Sequence, residues 1–273
     1  MLYKYLDLRP GLRVVDVGCG TGYLSRLLAR GMHGQGEVVG VDMDGNLLKM
    51  ARSLAEDEHL DQMVKFRKGM AESIPLQDGK YDLVVCQTLL WLFRDPRTPL
   101  REMIRICKPG GLVGAIEGGF DGITWFVPDN PRLTELNRKS VRASTKGHMR
   151  MYGQDRGIGY KLAPIFKELG LTRIRLDAYA YVWMESDDRI PMDFKLFQHK
   201  EFIRRYNRPL DAQSRSFRRV LISGGMSRAE IEERKKVDYE RSKRIVEDPS
   251  SISDDFATNA GTFYITTGVK EKA

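Results

Sequence analysis

Along the first 117 residues the apolar positions follow two rhythms. Arg13 to Val17, a short apolar run that ends at a glycine cluster, predicts a buried strand; Glu37 to Val41, Val64 to Arg67, Tyr81 to Gln87 (with Leu83, Val84 and Val85 buried on both sides) and Leu112 to Glu117 predict four more. Between them, apolar residues recur at helical spacing: Leu24, Leu27 and Leu28, then Leu47, Ala51 and Leu54, then Leu100, Met103, Ile104 and Cys107. Lys108-Pro109-Gly110-Gly111 ends the last helix, since proline and paired glycines do not continue one. Strand and helix in alternation predict an α/β fold, a parallel sheet with helices on both faces.

After Glu117 the pattern loosens. Residues 118–157 read as an insertion holding one helix, with Asn130 as N-cap and Pro131 in the first turn. Leu162, Ile165, Phe166 and Leu169 mark another helix, closed at Gly170. Leu171 to Trp183 and Thr262 to Thr267 read as strands. Residues 184–258 read as a mostly helical cap inserted before the last strand, with Gly224-Gly225 ending one helix and Ser227 with Glu230 forming a capping box for the next. The expectation is one domain over 1–273.

Composition narrows the class. The chain is 41% hydrophobic and 30% charged, a globular balance, and no apolar stretch reaches the length of a membrane span. Met1 to Pro10 lacks the apolar core of a secretory leader. Cys19, Cys86 and Cys107 lack paired spacing and are expected to be reduced thiols in a cytoplasmic protein. The four histidines are scattered, so no metal site is expected. The net charge is +8, and residues 189–247 alone hold 16 Lys plus Arg against 9 Asp plus Glu. Such a segment can attract nucleic acid. The favoured reading is a solvated helical face, because Glu230 to Arg234, Glu232 to Lys236 and Glu240 to Arg244 have the favourable i, i+4 order.

The chemistry concentrates at Val14-Val15-Asp16-Val17-Gly18-Cys19-Gly20-Thr21-Gly22, where a buried strand turns on glycines into a helix. Glycines admit positive φ and let a ligand approach the backbone. The spacing is GxGxG, with Tyr23 where a dinucleotide site would carry its third glycine. Asp16 would repel a pyrophosphate and suits a ligand with a positive amino group. Asp42 ends the second strand, 24 residues beyond Gly18, where an acid can accept both hydroxyls of a ribose. Met43 can cover an adenine ring, and Asp44 reads as a helix N-cap.

These runs, with GMAESIPL, YDLVVCQTLLWLFRDP and KPGG following in order, resemble the class I S-adenosylmethionine-dependent methyltransferases of the UbiE-like, type 11 group over roughly Leu12 to Glu117. The resemblance implies a Rossmann-like, seven-stranded sheet of order 3-2-1-4-5-7-6. It also implies S-adenosylmethionine as cofactor, with Asp16, Gly18, Cys19 and Gly20 along its methionine part, Asp42 on the ribose, Met70, Ala71 and Glu72 edging the adenine, and Gln87 near the methionine. The chain departs from the group at Met70, where many relatives carry an aspartate that bonds the adenine amino group. It departs again before the first strand, where relatives carry a longer helical segment, so the insertion and the cap are expected to close the site.

Methyl transfer from a sulfonium needs alignment and exclusion of water more than acid–base help. No triad-like signature is therefore required. Asn-Pro-Pro-Tyr and Asp-Pro-Pro-Tyr are absent after the fourth strand, and no proline precedes Cys86 or Cys107, which argues against amino-group methylation of adenine and against cytosine C5 methylation. Leu89 to Phe93 is an apolar run that suits a substrate wall or the sheet edge equally. Glu117, at the end of the fifth strand, is the leading candidate for a base or substrate anchor, and His148 in the insertion is a second. The favoured reading is methylation of a small molecule. An RNA or protein methyltransferase docking through 189–247, or a binding protein without turnover, stands as the alternative. A homodimer is also kept as an expectation.

Overall fold

A computed structural model describes residues 4–209 and 211–271, so Met1 to Tyr3 of the opening segment lie outside the described residues. Five parallel strands form as expected: β1 (Arg13–Val17), β2 (Glu37–Asp42), β3 (Val64–Lys68), β4 (Tyr81–Gln87) and β5 (Cys107–Gly118). Helices α1 (Tyr23–Gly31), α2 (Gly45–Asp57) and α3 (Arg97–Ile106) connect them. Helix α3 stops one residue before Cys107, which the helical stripe had included; Cys107 is already extended, at φ −67 and ψ 137.

Strands β1, β2 and β4 carry apolar runs because side chains alternate between two buried faces, whereas edge strand β3 buries only Val64 and Phe66. Val15, Val17, Val39, Val41, Val84, Cys86, Val113 and Ala115 join α3 and the later helix α5 (Leu162–Glu168) in one core. Val14, Val38, Val64, Leu83, Val85 and Ile116 join α1 and α2 in the other.

The sheet has eight strands, in the order β3-β2-β1-β4-β5-β8-β6, with β7 also pairing β8. Here β6 is Thr124–Phe126, β7 is Leu171–Met184 and β8 is Thr258–Lys270. The expected order holds, with the last strand inserted beside β5 and antiparallel to it. The eighth strand is β6, which the sequence pattern missed; it is three residues long and pairs antiparallel with Thr258–Ala260. Strand β8 is also longer than expected, since its first residues are the ones that pair β6.

The chain forms two compact units. The first holds the chain up to Gly118, Gly157–Tyr179 and the chain from Phe263. The second holds Gly119–Arg156 and Ala180–Thr262, so the insertion and the cap segment belong to one body. Its helices are α4 (Pro131–Tyr152), α6 (Met192–Tyr206), α7 (Ala212–Ser223) and α8 (Arg228–Glu247). Asn130 caps α4 by accepting from Leu133 N at 2.8 Å, and Ser227 with Glu230 caps α8 as a capping box.

Leu136 and Ala143 of α4 pack with Leu221, Met226 and Ile231 in the core of this unit. Helices α4 and α7 meet backbone to backbone at two reciprocal glycines. A Cβ on Gly147 would lie 2.0 Å from Val220 O, and one on Gly224 would lie 1.8 Å from Ala143 O. A second, ionic core lies between α6 and α8. Arg241 Nη2 is 2.9 Å from Asp255 Oδ2 and 3.5 Å from Glu185 Oε1, and Glu185 Oε2 is 3.4 Å from His199 Nε2.

The charges of residues 189–247 are arranged differently from the i, i+4 reading. Glu230 is spent on the capping box and on Lys139, Glu232 pairs with Arg218, and Arg234 donates to Asn137 Oδ1 at 3.1 Å. These contacts join helix to helix, while Lys243 and Glu247 keep an i, i+4 pair at 3.7 Å.

Candidate functional site

The turn after β1 is fastened to the end of β2. Gly18 N and Cys19 N both donate to Val41 O, at 2.7 and 3.1 Å, and Gly22 N donates to Cys19 O at 2.8 Å. The three glycines have different reasons to be glycine. All have positive φ, at +71, +53 and +73 for Gly18, Gly20 and Gly22. A Cβ on Gly18 would also meet Leu89 Cδ1 at 2.6 Å, and one on Gly22 would meet the Phe66 ring at 2.6 Å. Gly20 faces open space, with nothing within 4 Å of a Cβ there.

Asp42 holds this turn from the side. Its Oδ2 accepts from Gly20 N at 2.9 Å and its Oδ1 accepts from Asp44 N at 2.9 Å. Each carboxylate oxygen retains acceptor capacity for a further partner. Asp44 caps α2, accepting from Asn46 N at 2.8 Å, in line with the N-cap reading. Above these residues opens a groove of about 970 Å³. Gly18, Asp42, Met43, Met70, Ala71 and Glu72 line it together, as do Leu89, Leu92 and Phe93 from the loop after β4. Met43 is 67% exposed and Met70 52% exposed, large apolar side chains left to the solvent at the groove. Asn46 and Lys68 also line it and were not foreseen; Lys68 was legible in principle, as the last residue of β3 on the carboxyl edge of the sheet.

Other expected residues lie beneath the groove or elsewhere. Asp16 is 1% exposed, and its Oδ2 accepts from Ser25 Oγ at 2.6 Å. Burial pushes its carboxyl up to about 7, against the pull of the Ser25 hydrogen bonds. Cys19 is buried, and burial pushes its thiol up, as it does for Cys86 and Cys107. Gln87 closes β4, paired in register with Ile116. Glu117 is fully buried, and its Oε1 accepts from Leu89 N at 2.8 Å and Leu90 N at 2.6 Å. The structure thus puts this carboxylate inside, holding the loop that walls the groove, where the sequence had it facing the site. Burial pushes it up to about 7. His148 lies on α4 in the second unit; its Nδ1 meets Ser144 O at 2.8 Å, and burial lowers its pKa.

Among the described residues no group of three His, Cys, Asp or Glu could hold a metal, and no helix is long and apolar enough to cross a membrane.

Residues 8–145 match the family model of the methyltransferase domain. A demethylmenaquinone methyltransferase of Bacillus cereus (strain ATCC 10987 / NRS 248) is 30% identical over 194 residues, which cover 65% of this chain and 77% of the relative. The fold resembles that of YcgJ from Bacillus subtilis, at a TM-score of 0.55 and 17% identity, over the whole of this chain and 97% of the other. It also resembles the [4+2]-cyclase SpnF, at a TM-score of 0.58 and 20% identity, over the whole of this chain and 80% of the other. The structural likenesses speak for the fold, and the cyclase shows that this fold hosts more than one reaction. The family match spans the glycine turn, Asp42 and the groove together, and by it and the Bacillus cereus relative the chain belongs to the S-adenosylmethionine-dependent class I methyltransferases, in the UbiE-like group.

Proposed function

We propose that the groove over β1 and β2 holds S-adenosylmethionine and that the enzyme methylates a small, largely apolar acceptor beside Leu89, Leu92 and Phe93. The observation that carries the reading is the clamp of Asp42 on Gly20. It fixes an acidic side chain against an open glycine turn, at the carboxyl edge of a parallel sheet. The groove fits the cofactor by its chemistry. Asp42 offers acceptor oxygens to a ribose, Met43 and Met70 offer apolar cover to an adenine, and Gly20 leaves room for the chain that follows.

When bound, S-adenosylmethionine supplies a methyl group already activated on a sulfonium. The protein's part is to orient and to exclude water. In this reading Asp42 and the glycine turn fix the cofactor, and Asp16 adds negative charge below the turn when it ionises. Leu89 to Phe93 keeps the reacting face dry, and Glu117 holds that loop in place. A base is required only if the acceptor must lose a proton.

The name of the Bacillus cereus relative, a demethylmenaquinone methyltransferase, supports a small apolar acceptor. Against docking of RNA or protein through residues 189–247, Arg189, Arg218 and Arg241 of that segment are already committed to Asp187, Glu232 and Asp255.

The test incubates the protein and a cell extract with methyl-labelled S-adenosylmethionine, then counts label in separated small molecules, RNA and protein. Label in the small-molecule fraction is the expected result. Label confined to RNA or protein would replace this reading with the docking one, and tight cofactor binding without label in any fraction would leave a protein that binds and does not turn over.

A further inference from the structure

The second unit has a cleft of its own, of about 850 Å³, where the ends of α4 and α6 meet the start of α7. Three guanidinium groups line it, those of Arg204, Arg205 and Arg208, together with Tyr152, Ser216 and His148. Arg204 spends Nη2 on Glu201, at 2.6 Å. Arg205 and Arg208 make no ion pair among the described residues. The acid at this place, Asp211, is the N-cap of α7 and accepts from Ser214 N at 2.6 Å. The Tyr152 and Ser216 hydroxyls are 3.1 Å apart, so a pair of hydroxyl groups stands beside the arginines.

This collection is rich in donors and short of acceptors. Two arginines in the last turn of α6 suit the helix dipole. Arg208 lies beyond the helix, and no dipole accounts for it. Guanidinium forks match the oxygens of a phosphate two at a time, and hydroxyls can complete the shell. The side of the cleft formed by Phe217 and Val220 is apolar, which suits an organic moiety attached to that phosphate.

The geometry points to a binding site for a small phosphate-bearing molecule in this cleft, held by Arg204, Arg205 and Arg208. A nucleic acid would need a track of several phosphate contacts. Of the other arginines in the segment, Arg189 is engaged with Asp187, Arg218 with Glu232 and Arg241 with Asp255. A concave site with three cations and an apolar side favours a small ligand. The inference does not rest on the reading of the groove in the first unit.

The test is calorimetric titration of the full chain with inorganic pyrophosphate at low salt. The paired variant Arg205→Ala with Arg208→Ala is compared with Arg138→Ala with Arg142→Ala, which removes the same charge from outside the cleft. The expected result is one saturable site, weakened at least tenfold in the first variant and changed less than twofold in the second. Circular dichroism on both variants establishes that they fold, and Arg205→Lys with Arg208→Lys supplies a milder version that keeps the charge. Absence of saturable binding overturns the proposal, as does equal weakening in both paired variants. A 12-nucleotide single-stranded RNA is titrated in parallel. If RNA binds through Arg205 and Arg208 while pyrophosphate gives no saturable heat, the cleft is part of a nucleic-acid face and the small-ligand site is wrong.

Discussion

Glu117 Oε1 accepts the backbone N–H of Leu90 at 2.6 Å, which fastens the end of β5 to the loop that follows β4. The same oxygen accepts from Leu89 N, and Oε2 is buried without a hydrogen-bond partner among the described residues. Glu117→Ala leaves one buried and one part-buried donor without an acceptor and opens a cavity, at a cost of about 2–4 kcal/mol. Glu117→Gln keeps one acceptor oxygen and costs less. Urea unfolding of both variants checks the order; equal loss would mean that charge, and not the acceptor, matters to the loop.

The pH dependence of stability follows from the buried carboxyls. Glu117 and Asp16 are both pushed up by burial to about 7, from ordinary values of 4.5 and 3.8. Between those limits the folded chain holds protons that the unfolded chain has released, so these two groups lower stability as pH rises toward 7. His148 acts in the opposite sense, because burial lowers it and the folded state favours its neutral form. The comparison that isolates Glu117 is therefore the difference between the wild type and Glu117→Gln. The variant should gain stability relative to the wild type as pH is raised from 5 to 8, read as urea midpoints. A difference independent of pH would place Glu117's titration outside this window.

Asp42→Ala removes the clamp on Gly20 and Asp44 and, in the proposed reading, the ribose acceptor. Loss of a charged hydrogen-bonding group predicts S-adenosylmethionine binding weaker by tenfold or more, on the order of 1.5–3 kcal/mol. Calorimetry measures it. Unchanged affinity would remove Asp42 from the cofactor site.

In the second unit, Arg241 stands between Asp255 and Glu185 with all three largely buried. Arg241→Met leaves two buried carboxylates without their cation and should cost about 3–5 kcal/mol. Adding Asp255→Asn to that variant should recover part of the loss, since the chief partner no longer carries a charge. Thermal melts of the single and double variants decide this, and a double variant no better than the single would show that Asp255 is not the chief partner.

The sequence was most informative where both faces of a strand are buried. Val14 to Val17 and Leu83 to Cys86 could be read as strands because they are almost wholly apolar, Asp16 being the one polar residue, and their ends are marked by a glycine turn and by Gln87. Strand β6 escaped because Thr124-Trp125-Phe126 gets its extended form from pairing with Thr258–Ala260, more than 130 residues away. Glu117 was placed at the right strand end and given the wrong surroundings. Position along a strand is legible from period and length, whereas the direction of one side chain depends on which donors, here Leu89 N and Leu90 N, the neighbouring loop brings to it. The groove gathered Asp42, Met43, Met70, Ala71 and Glu72 because all follow the ends of β2 and β3, which the pattern had located.

The reciprocal contacts of Gly147 with Val220 and of Gly224 with Ala143 bind together two stretches that lie far apart in the chain. Neither can be exchanged alone. A chimera that takes residues 118–157 from a relative and keeps this chain's 184–258 would set a side chain against backbone wherever the donor lacks glycine at 147. The converse graft would fail in the same way at 224. The two segments are interlocked by packing, and a designer who grafts one should transplant them as a pair.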